Sequence, residues 1–232
     1  MNLLDAENIS KSYSEKILFE NISLGINEGD KIGVIGVNGT GKSTLLKVIA
    51  GCETSDGGKI TKSNETSIGY LPQNSDFSNS NLTVLEQIFK GTSPVMNLLR
   101  EYEKTIKLIE KNPEDRNLQA KITDLNFKMD AKNVWEIESQ AKTILTKLGI
   151  NDFNEKISVL SGGQKKRVAL ASTLITPSNI LILDEPTNHL DDETIEWLEE
   201  FLTKRSGALV MVTHDRYFLD RTVNQIDFFW TK

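Results

Sequence analysis

Residues 36–43 read Gly36-Val37-Asn38-Gly39-Thr40-Gly41-Lys42-Ser43 and match every fixed position of the phosphate-binding loop G-x-x-x-x-G-K-[ST]. An apolar run at 31–35 predicts a buried strand before the loop, and the run that begins at Thr44 predicts a helix after it. Glycines allow tight turns that point backbone N–H groups at phosphate oxygens, and a helix N-terminus adds partial positive charge. The sequence therefore predicts a nucleoside triphosphate site rather than a glycine-rich turn without a ligand.

Two side chains of this loop have separate predicted roles. Lys42 is expected to reach the β- and γ-phosphates, and Ser43 to place its hydroxyl on Mg²⁺, a hard ion that prefers oxygen ligands. The residues of the segment predicted to contact the nucleotide are Gly36, Asn38, Gly39, Thr40, Gly41, Lys42, Ser43 and Thr44.

Composition excludes several classes of protein. The 232 residues are 38% apolar and 26% charged, which is ordinary for a globular chain, and the net charge of 27 − 33 = −6 argues against a surface that binds nucleic acid everywhere. No apolar run approaches the length of a transmembrane segment, and the amino terminus lacks a secretory signal, so we expect a cytoplasmic protein. Cys52 is expected to be a small apolar residue after the loop helix, with a reactive thiol as the alternative.

The first part of the chain has the apolar and polar pattern of β-strands. Short apolar and polar runs alternate over 1–35 and predict an antiparallel β-layer that leads into the loop strand. Two further strands are predicted at 57–60 and 66–71. We assign 1–74 to a nucleotide-binding core with a β-subdomain.

Over 75–157 the apolar residues follow a helical spacing, which predicts a helical subdomain. The subdomain opens with a capping box at Thr83-Val84-Leu85-Glu86. A hairpin arm of two helices is predicted at about 95–130, with a break at Asn112-Pro113, and a third helix over 134–148. The apolar stripe that supports the second helix of the arm consists of Leu118, Ile122, Leu125 and Met129.

The last part of the chain, 158–232, returns to α/β texture. A helix is predicted to end at about Ile175, followed by a strand at 180–183, a helix at 193–204, a strand at 209–213 and a last strand near 223–230. Nearly continuous apolar runs favour parallel strands that are covered on both faces.

The strand at 180–183 runs directly into Asp184 and Glu185, at the carboxyl edge where open α/β sheets bind ligands. Asp184 suits Mg²⁺ binding, and Glu185 is placed to accept a proton from an attacking water. Taken alone, two carboxylates at a strand end also fit a solvated turn. The phosphate-binding loop upstream favours the functional interpretation.

A second helix start carries a glycine-rich loop, Leu160-Ser161-Gly162-Gly163-Gln164. Ser161 and Gln164 fit a capping box, and the exposed N–H groups of such a helix start can bind an anion. Taken alone, this is a well-capped helix. Together, the three motifs resemble the ATP-binding-cassette (ABC) superfamily, which implies a P-loop NTPase core with an antiparallel β-subdomain and an inserted α-helical subdomain.

The resemblance implies roles for residues that carry no signal by themselves. Tyr13 matches the aromatic residue that stacks on adenine, although a surface aromatic is the alternative, and Gln73 matches a glutamine that touches Mg²⁺ and the attacking water. His214 matches the switch histidine that contacts the γ-phosphate, with a structural histidine as the alternative. His189 is expected to be a turn residue. Nucleotide-contacting roles also pass by resemblance to Ser161, Gly162, Gly163, Gln164 and Asp191.

Two longer motifs, at 184–191 and 214–220, resemble the ABC-F class. The region 193–199 and the sequence Trp135-Glu136-Ile137-Glu138 that follows the arm are similar to the first cassette of Uup-type members. The resemblance implies ATP hydrolysis with Mg²⁺, a second cassette facing head to tail, no transmembrane partner and action on the ribosome. The chain has one phosphate loop, at 36–43, and one signature loop, at 160–164. It is therefore expected to be the amino-terminal cassette of a longer protein. Val37 departs from many relatives at a variable position.

Three alternatives stay open at this point. The same chemistry would serve the ATPase subunit of a membrane transporter that docks on a permease. A regulatory clamp that only binds nucleotide is disfavoured, because Glu185 and His214 are both present. Whether the arm binds RNA is open as well, since ten basic and nine acidic side chains between Arg100 and Lys147 also fit a solvated helical pair.

Overall fold

The computed structural model describes residues 1–14, 16–37, 39–74, 77, 81–90, 94–132 and 134–228. The strands are β1 (Asn2–Tyr13), β2 (Lys16–Asn27), β3 (Lys31–Ile35), β4 (Gly57–Lys62), β5 (Ile68–Leu71), β6 (Ile180–Asp184), β7 (Ala208–Val212) and β8 (Gln225–Phe228). The helices are α1 (Lys42–Ile49), α2 (Val84–Ile88), α3 (Pro94–Lys111), α4 (Arg116–Ala131), α5 (Val134–Lys147), α6 (Gly162–Ile175), α7 (Asp192–Lys204) and α8 (Arg216–Thr222). A 3₁₀ turn at Ile157–Val159 precedes α6.

The chain divides into two compact units. Unit 1 comprises Met1–Ser75 and Pro177–Lys232, and unit 2 comprises Asp76–Thr176. Helix α6 therefore belongs to unit 2. The predicted division into ranges 1–74, 75–157 and 158–232 stays a prediction.

Unit 1 contains an antiparallel sheet in the order β2-β1-β4 and a parallel sheet in the order β5-β6-β7-β3-β8. Every residue of β6 and β7 is buried, because their uninterrupted apolar runs are covered on both faces. A single apolar cluster joins the two sheets and α1, and it includes Ile9, Phe19 and Leu46. The predicted α/β fold with an antiparallel β-layer is confirmed.

Strand register determines which strand ends lie together at one edge of the parallel sheet. Ile180 pairs with Ala208 and Asp184 with Val212, while β3 runs parallel on the other side of β7. The carboxyl ends of β3, β6 and β7 therefore meet at one edge. The phosphate-binding loop, Asp184 and the segment after Val212 all begin there.

One helix of unit 1 escaped the sequence prediction. Helix α8 lies between β7 and β8, and Asp215 caps it by accepting a hydrogen bond from the backbone N–H of Phe218 at 3.0 Å. The following strand begins at Gln225, two residues later than predicted, and the predicted end at Trp230 lies outside the described residues.

Unit 2 is helical, as the sequence predicts. The capping box at the start of α2 is present, because the Glu86 N–H donates to Thr83 Oγ1 at 3.3 Å and the Thr83 N–H donates to Glu86 Oε2 at 2.8 Å. Helices α3 and α4 occupy the predicted arm, and Asp115 caps α4. Leu125 and Met129 of the apolar stripe are buried, whereas Leu118 and Ile122 are partly exposed. No helix in the described ranges has the length and apolarity that crossing a membrane requires.

Candidate nucleotide-binding site

The phosphate-binding loop connects β3 to α1 in the predicted order. Gly41 adopts φ 96°, and a Cβ at this position would lie 2.9 Å from the Cβ of Leu18, so both conformation and space require glycine. The hydroxyl of Thr40 donates to the carbonyl oxygen of Val37 at 2.8 Å and braces the turn. Asn38 lies outside the described residues.

Lys42 is buried in this loop, with 8% of its surface exposed. Its Nζ donates to the carbonyl oxygens of Gly36 at 2.8 Å and Val37 at 2.9 Å. Burial lowers the pKa of Lys42, while the nearby carboxylates of Glu185 and Asp184 act in the opposite direction. A cation is thus held among the loop carbonyls, close to two acidic side chains.

Asp184 is the last residue of β6 and is 2% exposed. Neither carboxylate oxygen accepts a hydrogen bond of normal geometry from any residue that the structure describes. Burial raises the pKa of Asp184, and the Ser43 hydroxyl and the backbone N–H of Gln73 partly oppose this effect. A buried carboxylate without partners is costly unless a cation binds to it.

These side chains fit a Mg²⁺ ion. Ser43, Gln73 and Asp184 line one pocket and offer hydroxyl, amide and carboxylate oxygens, which are the ligands that Mg²⁺ prefers. No group of three or more His, Cys, Asp or Glu side chains suited to a metal ion occurs among the described residues. Mg²⁺ is usually held by one or two carboxylates together with phosphate oxygens of a bound nucleotide.

Glu185 follows directly and has an unusual backbone conformation, with φ 55° in the left-handed region. Its side chain is 4% exposed, and Oε1 lies 3.3 Å from His214 Nε2. The backbone N–H of His214 donates to Oε2 at 3.2 Å. Burial raises the pKa of Glu185, although His214 lowers it, and a raised pKa makes the carboxylate a better proton acceptor.

The imidazole of His214 is 61% exposed, so one face of the pair is open to solvent. Thr213, directly before it, is buried and lies 3.3 Å from Thr187, measured between the two Oγ1 atoms. The Asp215 N–H donates to the same Thr213 hydroxyl at 3.1 Å. The contact between Thr187 and Thr213 connects the segment after Glu185 with the segment that carries His214.

Tyr13 lies at the end of β1, about half exposed, and lines the same pocket. Its hydroxyl donates to the carboxylate of Glu53, with distances of 2.6 Å to Oε1 and 2.8 Å to Oε2. An aromatic ring at the mouth of a pocket that also contains Lys42 suits a nucleoside base.

One pocket of about 410 Å³ gathers most of the predicted site residues of unit 1. It is lined by Tyr13, Gly39, Gly41, Lys42, Ser43, Thr44, Gln73, Asp184, Glu185 and His214 among others. A neighbouring pocket of about 630 Å³ is lined by Gly36, Lys42 and His214. Asp191 and Thr40 line neither of these two pockets, and Asp191 caps α7 by accepting from the Thr194 N–H at 2.9 Å.

The signature residues lie in unit 2, at the start of α6. The Gln164 N–H donates to Ser161 Oγ at 3.2 Å and the Ser161 N–H donates to Gln164 Oε1 at 2.9 Å, which completes the predicted capping box. Gly162 has no heavy atom within 4 Å of the position that a Cβ would take. This helix start is open to an incoming group.

Three residues beside the site were not predicted from the sequence, namely Lys16, Glu53 and Tyr70. Lys16 Nζ donates to the carbonyl oxygen of Gly39 at 3.3 Å, and Glu53 accepts from Tyr13. The hydroxyl of Tyr70, on β5, is buried without a partner in the described part of the chain. The two contacts join segments far apart in sequence, and no local pattern marks any of the three residues.

The chain is similar in sequence to known ATP-binding proteins. A sequence model of the family described as ABC transporter matches residues 19–188. The Bacillus subtilis (strain 168) protein YfmR, described as an uncharacterized ABC transporter ATP-binding protein, is 53% identical over 97% of this chain and 36% of its own length. The ATP-binding protein Uup of Haemophilus influenzae is 36% identical over 97% of this chain and 34% of its own length.

A third relative is the energy-dependent translational throttle protein EttA of Escherichia coli (strain K12), which is 40% identical over 90% of this chain and 38% of its own length. The chain therefore spans little more than a third of the length of these relatives. Among solved structures, the ATP-binding subunit of an ABC transporter superposes with a TM-score of 0.70 at 18% identity, over 98% of this chain and 85% of the other. This likeness confirms the predicted fold class.

Proposed function

The chain belongs to the ABC transporter family and is an ABC ATPase cassette, and we propose that it binds ATP with Mg²⁺ in the pocket between Tyr13 and His214 and hydrolyses it there. The observation that carries this proposal is the buried carboxylate of Asp184, which has no partner among the described residues and faces the phosphate-binding loop pocket. An ion bound there supplies the missing charge. Mg²⁺, when bound, neutralises negative charge on the phosphate oxygens.

Four residues of the pocket would have separate roles in ATP binding and hydrolysis. Tyr13 would stack on the base, and Lys42 would exchange its contacts with the loop carbonyls for contacts with phosphate oxygens. Glu185 would accept the proton of the attacking water, and its raised pKa suits that step. His214, 3.3 Å from Glu185, would orient the water and contact the γ-phosphate.

The proposal includes a second cassette that faces the first head to tail. In this arrangement the signature loop of one cassette, here Ser161–Gln164, completes the site on the phosphate-binding loop of the other. The open start of α6 supports this role, because its N–H groups can donate to phosphate oxygens and Gly162 leaves space for them. Asp191 would act at the same junction.

Turnover measured against protein concentration tests the two-cassette site. Hydrolysis per cassette should rise steeply with concentration, because two chains must meet before either site is complete. Strong turnover that stays proportional to enzyme under strictly monomeric conditions would show that one cassette suffices. Leaving out Mg²⁺, with EDTA present, should abolish hydrolysis.

For the whole protein we propose a cytoplasmic role on the ribosome in translation. The support is the 40% identity to EttA, a protein named as an energy-dependent translational throttle. Co-sedimentation of the two-cassette protein with ribosomes, in ATP and with the Glu185→Gln variant, tests this role. We expect the variant to accumulate on ribosomes, because it would keep ATP bound.

A second candidate is the ATPase subunit of an ABC membrane transporter. The observation that favours it is the name of the YfmR relative, an ABC transporter ATP-binding protein. Failure to associate with ribosomes, together with ATPase activity that a membrane permease stimulates, would select this candidate. Ribosome binding without any effect of membranes would reject it.

A further inference from the structure

A network of polar contacts connects the tip of β1 to the segment that follows α1. Tyr13 donates to the Glu53 carboxylate at 2.6 Å, and Lys11 Nζ lies 3.5 Å from Glu53 Oε1. Lys11 also lies 3.0 Å from Asp56 Oδ1 and donates to the Thr54 carbonyl oxygen at 2.8 Å. The side chains of Lys11 and Glu53 are only 10% and 21% exposed, so solvent screens this part of the network weakly.

Glu53, at one end of the network, is fixed to helix α1. Gly51 adopts φ 74°, and the Cys52 and Glu53 N–H groups donate to the carbonyl oxygen of Lys47 at 2.9 and 3.3 Å. This is a helix C-terminus closed by a left-handed glycine, which leaves little freedom to the residues after it. Glu53 is therefore held at a set position relative to α1, whose first turn carries Ser43 and Thr44.

The tip of β1, at the other end of the network, is fixed as well. The backbone N–H and the hydroxyl of Ser12 both donate to Asp56 Oδ2, at 2.8 and 2.9 Å. The Lys11 ammonium lies 5.8 Å from the centre of the Tyr13 ring. The ring is thus held by its hydroxyl on one side and by the pinned strand on the other.

We infer that Glu53 is a positioning residue for base recognition: it holds the Tyr13 ring at a fixed distance from the phosphate-binding loop, so that base and triphosphate bind together. This inference rests on the proposed ATP site. Glu53 lines neither pocket at the site, so it acts through Tyr13 rather than on the nucleotide. The Tyr13 hydroxyl then matters for binding, although stacking alone requires only the ring.

Equilibrium binding of ATP and of inorganic tripolyphosphate to the chain, both with Mg²⁺, separates this role from a general effect on the fold. Glu53→Gln keeps an oxygen that can accept from Tyr13 but loses the charge that strengthens this hydrogen bond, so it should weaken ATP binding by about threefold to tenfold. Tripolyphosphate has no base, so its affinity should stay unchanged. The matched control is Glu65→Gln, which removes an exposed carboxylate of the same unit.

Tyr13→Phe keeps the ring and removes the hydroxyl, so it should weaken ATP binding at least as much as Glu53→Gln does. The double variant should bind ATP no more weakly than Tyr13→Phe, because removal of the hydroxyl already abolishes the hydrogen bond to residue 53. Unchanged ATP affinity in both single variants would overturn the inference. An equal loss of ATP and tripolyphosphate affinity would also overturn it, since that result means a disturbed fold.

Failure of the proposed function has a different signature. If the parent chain does not bind ATP, or if Tyr13→Ala binds it as the parent does, then the proposed base contact is wrong. If Tyr13→Ala loses affinity while Tyr13→Phe and Glu53→Gln keep it, the ATP site stands and only the role of Glu53 is wrong.

Discussion

The pocket of unit 1 and the hairpin of unit 2 differ in how deeply their charged side chains are buried. In the pocket of unit 1, Lys42, Asp184 and Glu185 are 8%, 2% and 8% exposed. In the hairpin of unit 2, Lys121 pairs with Glu101 and Lys128 with Asp124, and these four side chains are 47–59% exposed. Buried unpaired charge is costly and exposed pairs contribute little. The buried charges of unit 1 support the ATP site that we propose there, whereas unit 2 depends mainly on apolar packing for its stability.

The largest expected effect comes from Glu185→Gln, which should slow single-turnover ATP hydrolysis by about 10²–10⁴-fold while ATP binding persists. The amide keeps the shape of the side chain but cannot accept the proton of the attacking water. Quenched-flow hydrolysis and a parallel binding titration measure the two properties. Glu196→Gln, an exposed position of the same unit, serves as the control. Unaltered hydrolysis in Glu185→Gln would remove the general-base role.

In unit 2 the corresponding effect should be on stability. Leu125→Ala empties a buried position of α4 that is 2% exposed, and we expect the free energy of unfolding to fall by about 2–5 kcal/mol. Phe127→Ala, on the same helix but 74% exposed, should change it by less than about 0.5 kcal/mol. Urea denaturation followed by circular dichroism compares them. Equal effects of the two variants would contradict the packing described for α4.

Asp184→Asn should stabilise the nucleotide-free protein by about 1–3 kcal/mol at pH 7, because it removes a buried charge without a partner. The pKa of Asp184 is raised above its ordinary value of 3.8, so the folded state binds a proton at a higher pH than the unfolded chain. The cost of the charge is therefore complete above the raised pKa and fades as the pH falls toward 3.8.

Denaturation of Asp184→Asn and the parent chain at a series of pH values measures this effect. The gain in the variant should shrink as the pH falls, while Mg²⁺-dependent hydrolysis should be lost at every pH. A variant that is less stable than the parent at pH 7 would show that the carboxylate has partners in solution.

The smallest effect is expected for Lys128→Ala, which removes an ion pair with Asp124 one helical turn away. Pairs of this kind contribute about 0.3–0.5 kcal/mol, and salt screens them. Thermal denaturation at low and high ionic strength is the measurement. A loss above 1 kcal/mol would mean that the hairpin depends on surface charge after all.

Sequence patterns predicted most of the elements, because their signals are local. The uninterrupted apolar run of β6 and the capping box at Thr83 each occupy a few consecutive residues. The membership of the chain in the ABC family, and its likeness to Uup-type and ABC-F proteins, is confirmed by its relatives. The assignments of individual site residues to catalysis, nucleotide and metal stay predictions.

The features that escaped prediction depend on distance along the chain or on short length. Helix α8 has seven residues, too few for a helical period to show, and only Asp215 marks its start. Tyr13 and Glu53 are 40 positions apart, and nothing in either neighbourhood indicates the other. The orphaned carboxylate of Asp184 is a property of its surroundings, which only the folded sheet creates.

The complete burial of β6 has a consequence for motion. Its neighbours β5 and β7 pair with it along its length, so its amide hydrogens should exchange with solvent only when the whole sheet opens. Asp184 ends that strand, and the Glu185 N–H donates to Val212 of the next one at 2.8 Å. The two carboxylates therefore belong to the most slowly opening part of the sheet. Local fluctuations at the loops can admit and release a nucleotide without moving them.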